Sequence, residues 1–128
     1  MNTQKETFWV GDLCYVMGDD WDEVGDLVSP TGGYGVYGLH TLKDGRKFVI
    51  FGTAYGDGRY NDQFGNSYPV DSGTIGAILK SDIKGWDNIH GKRLGNLHEL
   101  DPKAVYDNSS YGRGIISIAG EVNIDTDD

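Results

Sequence analysis

A single cysteine, three prolines and the absence of any long apolar run set the first limits on this 128-residue chain. Cys14 has no partner for an intramolecular disulfide, which points to a reducing, intracellular setting. No apolar run approaches the roughly 18 residues that a membrane-spanning helix needs. The opening MNTQKET has neither the basic start nor the apolar stretch of a signal peptide, so a cytoplasmic location is expected. Basic residues are scarce as well: 11 Lys and Arg stand against 20 Asp and Glu, a formal net charge of −9. From Glu6 to Leu42 there is no Lys or Arg at all. Direct binding to nucleic-acid phosphates depends on a basic face and is disfavoured, whereas cations and basic partner surfaces are attracted.

What is present is glycine and aromatic side chains. Twenty glycines with few prolines read as tight β-connections, and 8 Tyr, 4 Phe and 3 Trp supply the buried area of one folded domain over residues 1–128. Thr7–Met17 alternates within two short runs about Gly11 and Asp12, which predicts a strand with a bulge or bend. Trp21, Val24, Leu27 and Val28 fall at helical spacing, so a short helix is expected near residues 20–28, with Asp19 as N-cap. Tyr34, Val36, Tyr37 and Leu39 to Leu42 read as a weak strand. Asp44-Gly45 is a hairpin turn signal that pairs Leu39–Leu42 with Lys47–Thr53. A second hairpin places Arg59–Asn61 opposite Ser67–Val70, and Thr74–Leu79 is a further strand. Residues Ser81–Asp107, with Trp86, Leu94, Leu97 and Leu100, read as a long connection with room for a short helical turn, Gly114–Ile124 as a closing strand, and Asp125–Asp128 as a frayed acidic tail. The expected fold is mainly β: an antiparallel curled sheet or partly open barrel carrying one short helix.

The candidate chemistry is thin. Val70-Asp71-Ser72-Gly73-Thr74 resembles the Asp-Ser/Thr-Gly loop of aspartic proteases, and Gly112-Arg113-Gly114-Ile115-Ile116 faintly echoes that family's glycine-arginine segment. The resemblance implies a homodimer in which Asp71 from each copy shares a proton, although Tyr68-Pro69 stands where the family has apolar strand. Asp57, Asn61, Asp62 and Asn66 place oxygen ligands close together, as calcium loops do, without the spacing of an EF-hand; the same residues are ordinary turn formers. His40, His90 and His98 show no zinc spacing. Cys14 sits among apolar neighbours as a small hydrophobe, and Tyr34-Gly35-Val36-Tyr37-Gly38 lacks the following helix that a phosphate loop requires. No cofactor is implied. The remaining constellation is an acidic ridge, Asp19, Asp20, Asp22, Glu23 and Asp26, facing outward from the predicted helix. It is either a solvated face or a docking surface for a basic partner.

The segments VGDLCYV, DDWDEV, AYGDGRYND and YPVDSGTIG, between Trp9 and Ile78, resemble a set of small uncharacterised proteins of phages and bacteria. The resemblance implies a phage-derived protein acting in a bacterial host cell, with no assigned activity. Together with the acidic ridge, it leads to the expectation of a non-enzymatic binding protein that inhibits or sequesters a host protein through an acidic and aromatic surface.

Overall fold

The computed structural model describes residues 4–30 and 35–127. Along the chain run β1 (Glu6–Gly11), α1 (Trp21–Val28), β2 (Gly38–Thr41), β3 (Lys47–Gly52), β4 (Gly58–Asp62), β5 (Ser67–Val70) and β6 (Thr74–Leu79). They are followed by β7 (Asn96–Leu100), α2 (Pro102–Asn108), β8 (Ser110–Gly112), β9 (Ile115–Ile118) and β10 (Val122–Asp125). The strands form two antiparallel five-stranded sheets, β2-β3-β6-β1-β7 and β5-β4-β10-β9-β8. The protein is therefore mainly β, as its sequence indicates, but the sheets stay open instead of closing into a barrel. No helix among the described residues is long and apolar enough to cross a membrane.

Strand periodicity assigns the core. In the first sheet Phe8, Val10, Val49, Phe51, Ile75 and Ala77 point one way and join Tyr60, Tyr68, Val70, Ile116, Ile118, Val122 and Ile124 of the second sheet. Their neighbours Trp9, Phe48, Ile50 and Ile78 point the other way, against Val24 and Val28 of α1 and Leu13, Val16 and Met17 before it. The first sheet is thus a middle layer buried on both faces, which is why FWV and FVIF are unbroken apolar runs rather than alternating ones. Gly76 lies where the helical layer approaches β6 closely. A Cβ there would collide with the Val49 carbonyl oxygen and the Leu13 side chain.

Several elements differ from the sequence-based expectation. The Thr7–Met17 strand stops at Gly11, because the Asp12 carboxylate accepts the Cys14 N–H (3.0 Å) and turns Leu13–Tyr15 into a short 3₁₀ segment. Asp20, not Asp19, is the N-cap residue of α1, and its side chain makes no capping bond. The β2–β3 hairpin forms, but one residue out of register with a two-residue Asp44-Gly45 turn: Leu42 bonds to Arg46 and Thr41 lies opposite Lys47, so Lys43, Asp44 and Gly45 make a three-residue loop with Gly45 left-handed (φ 99°). Its strand begins only at Gly38, and Tyr34 lies outside the described residues. The β4–β5 pairing and β6 also follow the sequence reading. The supposed connection Ser81–Asp107 contains β7 and a second helix, α2, started by Asp101 accepting the Lys103 N–H and by Pro102 in the first turn. Gly114–Ile124 is a hairpin, not one strand, since Ala119 and Gly120 both take left-handed backbone (φ 59° and 71°). The acidic tail is ordered through its first residues: Asp125 pairs within β10, and Thr126 is buried, its hydroxyl donating to the Gly114 carbonyl and accepting the Ala54 N–H.

Gly76→Ala is expected to destabilise the fold by about 1–3 kcal/mol through overpacking against backbone that cannot yield, read as a lower denaturation midpoint at unchanged slope.

Candidate functional site

The five carboxylates of the predicted ridge do not form one surface. Asp20 is mostly buried and pairs with Arg46 (Nη2 to Oδ2, 2.9 Å), while Lys84 stands 3.8 Å from its other oxygen. Arg46 also engages Asp44 (2.8 Å) and the Asp82 carbonyl (3.0 Å), so one guanidinium ties the β2–β3 turn to the start of α1 and to the segment after β6. Its hydrogen bond to Asp44 is the largest influence that keeps Arg46 firmly protonated. Glu23 accepts the Lys43 N–H at 2.7 Å and holds the same turn from the middle of the helix. Asp20 and Glu23 are therefore internal fasteners. Asp19, Asp22 and Asp26 remain exposed and make no ion pair among the described residues.

A groove of about 230 Å³ lies against α1, lined by Trp21, Val24, Gly25, Val28, Tyr37, Ile50, Ser72 and Thr74, whereas Asp19 borders a separate cleft with Asp20 and Lys84. Tyr37 is 48% exposed and Trp21 half-buried. Helical geometry puts Trp21, Gly25 and Val28 on the groove side and Asp22 and Asp26 on the adjacent stripe toward solvent. A larger cleft of about 500 Å³ adjoins Trp86, but the ammonium groups of Lys80 and Lys92 already lie 5.3 Å from that indole ring.

The protease-like loop lies where the chain passes from one sheet to the other. Asp71 is exposed in the turn between β5 and β6, and its N–H donates to the Asp12 carboxylate (2.7 Å). Ser72 gives Asp12 both its N–H (2.6 Å) and its hydroxyl (2.8 Å). Asp12, fully buried, is the charged group that reading the sequence passed over. The available signal was a carboxylate inside an apolar run, since a buried charge must find donors. The same surroundings explain Cys14: burial first, then the Asp12 charge, push its thiol up to about 12, far from a reactive thiolate.

Of the calcium-like residues, Asn66 meets Asp62, but the four do not converge on one point. Asp57 and Asn61 are exposed, and the period of two along β4 sends Asn61 and Asp62 to opposite faces. Asp62 is occupied by donors: the Phe64 and Asn66 N–H groups, the Asn66 amide (2.9 Å) and the Tyr68 hydroxyl (2.6 Å). Among the described residues no three His, Cys, Asp or Glu side chains cluster as metal ligands. Asp62 belongs instead to a polar clasp between the sheets. The single Tyr68 proton goes to Asp62, so His98 on β7 donates from Nε2 to the Tyr68 oxygen (2.9 Å). Asn96 adds a bond to the Ser67 carbonyl (2.8 Å). Burial pulls the Asp62 carboxyl upward, but the hydrogen bonds from Tyr68, Asn66 and Phe64 outweigh it and hold the group below its ordinary value. Burial lowers His98 below its ordinary value, with the Asp62 charge opposing in part.

The chain matches no protein-family model, no curated protein and no solved structure. Its own geometry offers a partly apolar groove against α1 and two buried carboxylates whose oxygens are taken up by the fold.

Two measurements probe those carboxylates. Asp12→Asn turns a donor toward the Asp71 and Ser72 N–H groups and is expected to cost about 1.5–3 kcal/mol, read by denaturant unfolding. His98 is depressed in the folded state, so on acidification the unfolded chain takes up the proton first. Stability therefore falls as pH drops through the ordinary histidine range toward the folded value, and His98→Gln should flatten that step. The Asp62 contribution is whole above the ordinary carboxylate value and is lost as pH falls from there through the lower folded value.

Proposed function

We propose that this is a non-enzymatic binding protein, phage-derived, that inhibits or sequesters a host protein by presenting an acidic and aromatic surface to a basic region of that partner. The observation that supports it most directly is the division of the α1 carboxylates. After Asp20 and Glu23 are bound to Arg46 and to the Lys43 backbone, Asp19, Asp22 and Asp26 stay exposed, and Trp21 and Tyr37 line a groove against the helix that carries Asp22 and Asp26. Aromatic anchors with a charged rim are the composition of protein interfaces, and rim charges steer encounter with an oppositely charged partner. The net charge of −9 acts in the same direction and opposes phosphate binding. The protease-like and calcium-binding alternatives draw less support, because Asp71 sits exposed in a turn fastened by its backbone and Asp62 is occupied by donors.

The test is capture from bacterial host lysate by the immobilised chain. Wild type should retain a partner saturably and lose it as salt rises. The triple variant Asp19→Lys, Asp22→Lys, Asp26→Lys should bind at least about tenfold more weakly at an unchanged melting temperature. Absence of saturable capture by wild type at low salt would overturn the proposal.

A further inference from the structure

Gly25 stands in the middle of α1, where glycine weakens a helix relative to alanine. Among the described residues neither packing nor backbone requires it. Its φ is not left-handed, it is exposed, and among the described residues no atom lies within 4 Å of where a Cβ would sit. What Gly25 leaves, among the described residues, is open space on the helix side of the groove. Trp21 stands one turn before it, Val28 about one turn after, Tyr37 faces across and Ile50 lies at the base. At about 230 Å³ the groove is smaller than the roughly 300–1,000 Å³ of small-molecule sites, and suits one large side chain of a protein partner.

Charge decides which side chain. Asp22 and Asp26 are exposed on the helical stripe next to the groove, and exposed Asp71 precedes Ser72 at its far end. A cation with an apolar stem fits that surround. Arginine suits it better than lysine, because the guanidinium is planar, weakly hydrated and stacks on aromatic rings. We infer that the groove over Gly25 receives an arginine side chain of the partner, laid against Trp21 and Tyr37 and neutralised by Asp22 and Asp26. This rests on the docking surface proposed above and adds to it the side chain recognised and the residue that makes room for it.

The probe is a hexa-arginine peptide titrated at low salt into the isotope-labelled full chain, followed by NMR, with hexalysine as comparison. Hexa-arginine should shift the Trp21 indole, Gly25 and Tyr37 signals and bind more tightly than hexalysine. Gly25→Leu, which fills the space, should weaken it by about tenfold or more, while Gly25→Ala should raise the melting temperature. Unchanged hexa-arginine affinity in Gly25→Leu, with loss in Asp22→Lys/Asp26→Lys, would overturn the groove while leaving the acidic surface standing. No hexa-arginine binding by wild type would count against both. Equal binding of the two peptides would overturn the arginine assignment, and a lower melting temperature for Gly25→Ala would show that the glycine serves the fold.

Discussion

Four hydrogen-bond donors from two distant stretches of chain converge on the buried carboxylate of Asp12: the N–H groups of Cys14, Asp71 and Ser72, and the Ser72 hydroxyl. A charge removed from water is tolerated only when such donors replace the solvent, so the contact is strict in geometry. Much depends on it. The bond to Cys14 ends β1 and bends the chain toward α1. The bonds to Asp71 and Ser72 hold the turn in which the chain passes from β5 in one sheet to β6 in the other. Ser72, further bonded to Thr74 (2.7 Å), then forms one end of the groove beside α1. A single ionised group thus sets the crossover between the sheets and the wall of the candidate site.

The other buried carboxylate does comparable work a few residues earlier along the chain, at β5 itself. Asp62 on the second sheet, through Tyr68, reaches His98 on the first, and Asn96 reaches the Ser67 carbonyl. The apolar faces of the two sheets close non-directionally, by burial of Phe8, Val10, Tyr60 and their neighbours. Directional bonds at this margin give β5 and β7 one relative setting. The sandwich is then layered against a third face, where Trp9, Phe48 and Ile78 meet α1 and the turns before it.

Acidity in this protein is consequently divided by role. Asp12 and Asp62 organise the fold from within, Asp20 and Glu23 fasten the β2–β3 turn to α1, and Asp19, Asp22 and Asp26 have no such partner among the described residues. Residues of the same type, a few positions apart, separate into structural and available groups because a helix turns about 100° per residue. That separation, more than the overall charge, defines the surface to which function is assigned.

Local patterns were enough for much of the architecture. Asp44-Gly45 specified the β2–β3 hairpin, Trp21, Val24 and Val28 specified α1, and the run from Thr74 to Leu79 specified β6, because turn chemistry and periodicity act over a few residues. The inward face of β7 carries Asn96 and His98 while Leu97 is exposed, so its alternation is the reverse of an ordinary strand and it read as connection. The start of α2, by contrast, carries a local signal in Asp101-Pro102, a capping residue followed by proline in the first turn. For the site, the sequence by itself supplied an acidic, aromatic helix and a chain with too few cations to balance it. Only the tertiary structure decided which carboxylates were free, that Asp71 hangs on Asp12 across 59 positions, and that Gly25 borders an open groove. Hydrogen-bond partners brought together by folding have no local sequence pattern, and the availability of a charge depends on them.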